Sequence, residues 1–247
     1  MADALDLPAP PPFGRLASER EIALFLDFDG TLVDIASSPG AISVPEGLSA
    51  RLHALAARLD GRLALISGRS LDDLGDHCAV DGIACAGSHG DDRRDAQGRT
   101  LGEPAVELPQ GAFDALRSAA RDLGLMLEAK PHGAALHFRA EPSRAAAAHE
   151  LADAVATRFG LAVKHGKEVV EITGSGANKG GAVRAFMALS PFAGATPVFV
   201  GDDLTDEDGM IACNEAGGFG VLVGDRSPTS ARFRLPDVPA VYQWLNL

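Results

Sequence analysis

The chain reads as an α/β protein: a doubly wound, parallel, Rossmann-like sheet interrupted by an inserted α+β segment. Three observations predict this. Short, wholly apolar runs of strand length alternate with amphipathic stretches of helical period, the pattern of parallel strands buried on both faces. Several of those runs end in polar or acidic residues, as strands do when they deliver side chains to the rim of an open sheet. Between about residues 91 and 173 the alternation gives way to a helix, hairpin, helix, strand order.

The first strand is Ile22 to Phe28, an apolar run closing on carboxylates. Pro45 to Asp60 follows as an amphipathic helix, with Leu48, Leu52, Leu55 and Leu59 on one face. Arg62 to Ile66 is a second buried strand, ending in Ser67-Gly68-Arg69. Ser70 starts a helix, and Ile83 to Ala86 is the third strand. Asp95 to Gly98 has the composition of a turn between short strands. A helix through Phe113, Leu116, Ala120 and Leu123 leads to two strand candidates, Leu125 to Lys130 and Ala134 to Arg139. The next helix, with Ser143 as its N-cap, passes through Ala147, Leu151 and Val155 to Phe159, and strand signals return at Val169 to Ile172. Alternation resumes with a helix from Lys179, a strand at Pro197 to Val200, a helix near Thr205 to Asn214 and a strand at Phe219 to Val223. This divides the chain into a core of residues 1–107 and 174–247 and an inserted domain of residues 108–173.

The totals exclude several classes. A chain of 247 residues with 46% hydrophobic and 23% charged residues has enough apolar material for a substantial core. No apolar stretch approaches the roughly 20 residues that span a bilayer, so no membrane partner is expected. A net charge of −12 argues against nucleic acid, which is bound by clustered Lys and Arg. It is compatible with a small phosphorylated substrate, because a metal ion and a few placed cations invert the local field. Met1 to Pro12 is proline-rich, with no basic cluster before an apolar core, and reads as a disordered lead-in and not a secretory signal. Three scattered cysteines, Cys78, Cys85 and Cys213, form neither a disulfide framework nor a zinc motif, which favours a reducing cytoplasm.

Three strands end in chemistry that an open sheet would gather on one edge: Asp27-Phe28-Asp29, Ser67-Gly68-Arg69 and Gly201-Asp202-Asp203. Lys179, opening a helix after a glycine-rich turn, is the fourth group. Phosphate-monoester hydrolysis needs these residue types together, since the reaction calls for up to roughly 10²¹-fold acceleration. Asp27 is the candidate nucleophile, forming an aspartyl-phosphate that splits one hard step into two. Asp29, two residues on, shares its side of an extended strand and would protonate the leaving alcohol, then deprotonate the attacking water. Mg²⁺ and Lys179 would keep Asp27 ionised while Asp29 holds a proton. Ser67, with Gly68 and Arg69 beside it, and Lys179 would hold the phosphoryl oxygens. Asp27, the backbone carbonyl of Asp29 and Asp202 would hold Mg²⁺, which keeps several waters and needs few protein ligands. Thr31 would donate to Asp29 or orient the turn, and Asp203 and Asp206 would fix Lys179 or metal-bound water.

Each motif has a plainer rival. Asp-x-Asp-Gly alone often marks a turn, and Ser-Gly-Arg alone is more simply a helix cap. Asp206 to Glu215 fits part of a calcium loop, but Leu204 would occupy its first ligand position. Gly174 to Lys179 lacks the final glycine of a dinucleotide fingerprint and the Gly-Lys-Ser/Thr of a P-loop. His132 and His137 have no third ligand at suitable spacing and read as hydrogen-bonding or surface residues. Asp91, Asp92 and Asp95 are expected to face solvent.

In order, Asp27-x-Asp29-Gly30-Thr31, Ser67, Lys179 and Gly201-Asp202-Asp203 resemble the motifs of the haloacid dehalogenase superfamily of phosphohydrolases. Over nearly the whole chain the resemblance narrows to the bacterial type of trehalose-6-phosphate phosphatase. The stretches that carry it are Ala64 to Arg69, Gly87-Ser88-His89-Gly90, Leu127 to Lys130, Leu136 to Arg139, Gly166 to Ile172, Asn178-Lys179-Gly180 and Thr196 to Glu207. The resemblance implies Mg²⁺-dependent hydrolysis of a phosphorylated disaccharide, trehalose 6-phosphate, with the insertion as a mobile cap. Glu128, Lys130 and Glu171 would then grip sugar hydroxyls through charge-assisted hydrogen bonds. The chain departs from the family where Asp91-Asp92 stands near a usual glutamate and where Phe138 replaces a common tyrosine. Two alternatives share this core: a phosphatase for another sugar phosphate, and a catalytically silent sugar-phosphate binding module.

Overall fold

The apolar runs form strands buried on both faces, and their order in the sheet follows from how the chain doubles back. A computed structural model of the protein describes residues 7–36, 42–103, 106–130, 132–166, 168–174 and 176–247. Helix α1 (Phe13–Glu19) precedes β1 (Ile22–Leu26), whose five residues are all buried. Helix α2 (Leu48–Arg58) lays Leu48, Leu52, Leu55 and Ala56 into the core. Strand β2 (Leu63–Ile66), helix α3 (Leu71–His77) and β3 (Ala84–Gly87) follow, and β4 (Asp92–Arg94) turns back antiparallel onto β3. Next come α4 (Gln110–Asp122), β5 (Met126–Lys130), β6 (Gly133–His137), α5 (Ala145–Phe159), β7 (Ala162–Gly166) and β8 (Val169–Thr173). The chain closes with α6 (Lys179–Met187), β9 (Thr196–Gly201), α7 (Glu207–Glu215), β10 (Phe219–Val223), β11 (Phe233–Leu235) and α8 (Val238–Leu245).

Two compact units result: Met1–Gly102 with Asn178–Leu247, and Glu103–Ala177. The second begins earlier and ends later than the expected 108–173. The first holds a seven-stranded sheet in the order β11-β10-β9-β1-β2-β3-β4, parallel except for β4. From β1 the chain winds outward through β2 and β3, then returns to β9 on the other side. The carboxyl end of β1 is therefore the switch point at which open α/β sheets form ligand crevices.

The second unit has its own core. Its antiparallel sheet runs β5-β6-β8-β7, and Ala134, Leu136, Val170 and Ile172 pack on Ala112, Leu116 and Ala120 of α4 and Ala148, Ala152 and Val155 of α5. The register sets Glu128 opposite Ala135, Ala135 opposite Glu171, and Glu171 opposite Lys164, so these residues form a row on the face turned away from the helices.

Several expectations need correction. The proline-rich lead-in is ordered where it is described: Pro8 O accepts from Arg234 N (3.0 Å), Pro11 O accepts from the Trp244 indole N–H (2.8 Å), and Phe13 meets the Trp244 ring edge-on. Prolines lack a donor but keep their carbonyls, so they satisfy an edge strand and a half-buried indole at once; residues 1–6 lie outside the described chain. Ser143 is not the N-cap of α5. It sits within a 3₁₀ turn, Pro142–Arg144, because Pro142 favours the first position of a helical turn and starts the winding early. Asp91 is buried, and Asp92 and Asp95 are half-buried, paired with Arg94 and Arg99 along the edge strand and its turn. Strand β1 ends at Leu26, although the Asp27 N–H still bonds Val200 O (3.0 Å). No helix among the described residues is long and apolar enough to cross a membrane.

Candidate active site

The carboxyl ends of β1, β2 and β9 and the start of α6 bring the strand-end chemistry together. Asp27 follows β1 and is 4% exposed. Lys179 is the first residue of α6, fixed there because the Asn178 side chain caps the helix by accepting from Gly181 N (2.8 Å). The Lys179 ammonium donates to Asp27 Oδ1 (2.7 Å) and Asp206 Oδ1 (2.6 Å), with all three groups buried. Asp206 Oδ2 accepts from the backbone N–H groups of Asp202 (2.9 Å) and Asp203 (2.8 Å). One carboxylate thus sets both the lysine and the Asp202 backbone. Thr31 donates from Oγ1 to Asp27 Oδ2 (3.4 Å), not to Asp29.

Gly30 is required twice over. Its φ of +83° is left-handed, and a Cβ there would lie 2.3 Å from Asp202 Cγ. Its missing side chain is the space that the Asp202 carboxylate occupies beside Asp27.

Ser67 is fully buried after β2, and its Oγ accepts from Arg69 N (3.1 Å). A side chain on Gly68 would collide with the His89 ring, since a Cβ would stand 2.6 Å from its Cε1. Arg69 is engaged with two acids. Its Nε and Nη2 grip the two carboxylate oxygens of Asp29 at 2.6 Å each, and its Nη1 donates to Asp73 (2.7 Å).

The electrostatics are unbalanced. Burial, then the neighbouring Asp206, push the Asp27 carboxyl well above its ordinary range; Asp202 adds to this, and Lys179 opposes it without cancelling it. Burial also works against the Lys179 charge, but Asp206 and Asp27 outweigh it and hold the ammonium firmly protonated. One cation serves two buried carboxylates with a third nearby, and oxygens of Asp27, Asp202 and Asp206 lie within 4.8 Å of one another. That donor set fits a hard divalent cation. Asp206 already receives three hydrogen bonds, from Lys179 and from the backbone N–H groups of Asp202 and Asp203.

In the second unit, Lys130 forms an ion pair with Glu171, and Glu128 Oε2 is hydrogen-bonded to His137 Nε2 (2.7 Å). That bond, with the Lys130 charge, lowers the Glu128 pKa. The three expected sugar contacts share one face with Lys164, a row-mate of Glu171 that the sequence reading passed over.

Residues 25–239 match the family model for trehalose-phosphatase. The chain belongs to this family. It is 41% identical over 238 residues to the trehalose-6-phosphate phosphatase of Escherichia coli K12, an alignment covering 91% of this chain and 85% of the relative. Its fold superposes on the C-terminal domain of a C. albicans trehalose-6-phosphate phosphatase with a TM-score of 0.80, covering 98% of each chain at 23% identity. A phosphatase of the haloalkanoate dehalogenase superfamily from Bacteroides thetaiotaomicron shares the fold at a TM-score of 0.62 and 16% identity, covering 92% of this chain and 94% of its own. The trehalose-phosphatase core thus places its acids, lysine and serine on one sheet edge. Two residues near them, Glu207 and Arg226, were missed as functional candidates. Glu207 falls inside a matched stretch, but a lone arginine in the 224–231 loop carries no sequence signal.

Proposed function

We propose that this trehalose-phosphatase hydrolyses trehalose 6-phosphate to trehalose and phosphate through an aspartyl-phosphate on Asp27, with Mg²⁺ as cofactor. The observation that carries the reading is the buried Lys179 bridging Asp27 and Asp206, with Asp202 seated over Gly30 at the switch point. Asp27 attacks phosphorus as the bond to the sugar oxygen breaks. Asp29 gives its proton to that oxygen, then takes one from the water that displaces phosphate from Asp27. For the acid role Arg69 must relax its hold on Asp29, and an arriving phosphate offers the guanidinium another bidentate partner. Ser67 and Lys179 bind phosphoryl oxygens that gain charge in the transition state. Asp27, Asp202 and the Asp29 carbonyl would hold Mg²⁺, which supplies charge neutralisation at the transferring group.

Substrate choice rests on family membership and on the charged face of the second unit. Glu128, Lys130 and Glu171 offer carboxylates and an ammonium to sugar hydroxyls, exchanging their present contacts (Lys130 with Glu171, Glu128 with His137) for the ligand's. We assign the protein to the cytoplasm, where its three free, buried thiols would stay reduced. The test of the mechanism is acid quenching during turnover of substrate radiolabelled in its phosphate group. Label should remain covalently attached to the wild-type protein and be absent from Asp27→Asn; label retained by that variant would refute Asp27 as nucleophile.

A further inference from the structure

The Asp202 peptide is held from both sides. Its N–H donates to Asp206 Oδ2 (2.9 Å), and its carbonyl accepts from Arg226 Nε (3.2 Å). Arg226 lies in the loop after β10, the strand beside β9, whose end carries Asp202. The guanidinium is fixed in turn: Nη2 pairs with Glu207 and Nη1 donates to Pro228 O (3.0 Å). Glu207, at the start of α7, also accepts from Thr229 Oγ1 (2.8 Å) and Ser230 N (2.6 Å). Both of its oxygens are thereby committed to holding the loop that presents Arg226, and the ion pair is largely buried.

We infer that Arg226, braced by Glu207, is a positioning residue that sets the Asp202 carboxylate for cation binding. The inference rests on the proposed reading of Asp202 as a Mg²⁺ ligand. Magnesium demands near-ideal octahedral geometry, so a ligand whose backbone can rotate binds it poorly. The two clamps divide the labour. Asp206 also fixes Lys179, so its loss disturbs the whole site, whereas Arg226 makes no contact with Asp27 or Lys179 and acts on the cation side alone. Outer partners of this kind typically change metal affinity by roughly 10- to 100-fold.

The test is calorimetric titration of Mg²⁺ into the apo wild type, Arg226→Ala, Arg226→Lys and Asp202→Asn, with the Mg²⁺ dependence of kcat measured alongside. Arg226→Ala should weaken Mg²⁺ binding by about 10-fold or more, and saturating Mg²⁺ should restore kcat, which a collapsed site would not allow. Arg226→Lys guards against misfolding. A lysine can still pair with Glu207 but cannot hold Asp202 and Pro228 as well, so its affinity should fall too. Unchanged affinity in the folded arginine variants, with binding lost in Asp202→Asn, would overturn the role of Arg226 and leave the metal reading standing. Wild-type Mg²⁺ binding by Asp202→Asn would overturn both.

Discussion

Asp27 and Asp29 stand two residues apart and meet opposite surroundings. Asp27 is sealed against an ammonium and two further acids, while Asp29 is one-third exposed and clasped by a guanidinium. Their spacing was legible, because an extended chain sends alternate side chains to one side. Their environments were not, since Arg69 lies 40 positions from Asp29 and nothing local in the sequence marks the pairing. Asp27→Asn should lower kcat by at least about 10³-fold with an unchanged circular dichroism spectrum. Asp29→Asn should cost about 10²- to 10⁴-fold, the usual worth of acid–base assistance. Glu207 makes a prediction about pH. Burial raises its pKa, but Arg226, Ser230 and Thr229 outweigh that, so the folded value lies below the unfolded one. The ionised form therefore stabilises the fold fully above the unfolded pKa of about 4.3, and that contribution fades as pH falls through the folded value. In urea melts, wild type should exceed Glu207→Gln at pH 7, and the gap should narrow below about pH 4.

At the scale of elements, the apolar strands β1, β2, β9 and β10 announced themselves, because a strand buried on both faces has no polar alternation to confuse it; Thr196, at the start of β9, is their one polar residue. Strand β7 stayed hidden because an edge strand, half-buried, mixes Lys164 and His165 with its apolar residues. Strand β11 has three residues, too few for any period. Helix α8 did carry a start signal, Asp237 capping Ala240 N with a proline in its first turn, but at eight residues it gives only about two turns of period to read. The turn after β1 is where element geometry touches chemistry. Gly30→Ala should destabilise the protein by about 1–2 kcal/mol through its left-handed backbone and should displace Asp202. Thermal unfolding and Mg²⁺ titration together check this, and an alanine variant with full Mg²⁺ affinity would contradict the crowding argument.

At the scale of the whole molecule, the inserted segment was visible as a break in the β–α alternation, and its composition as a separate unit follows from a core of its own around Leu116, Leu136 and Ile172. Its exact limits were not legible, since no motif marks the crossing at Glu103 and the glycine-rich turn before Lys179 does not say which residue ends the unit. The same division separates two levels of the functional reading. The proposed phosphoryl transfer uses residues of the first unit. The proposed choice of sugar rests on family membership and on three charged residues that share one face of the second unit's sheet. The direct measurement is phosphate release from trehalose 6-phosphate beside glucose 6-phosphate and sucrose 6-phosphate, each with Mg²⁺. The account predicts a kcat/KM for trehalose 6-phosphate at least about 100-fold above either decoy, a floor well below the roughly 10⁴-fold rejection that follows when a site's polar groups are left unpaired by the wrong sugar. Comparable turnover of either decoy would contradict it.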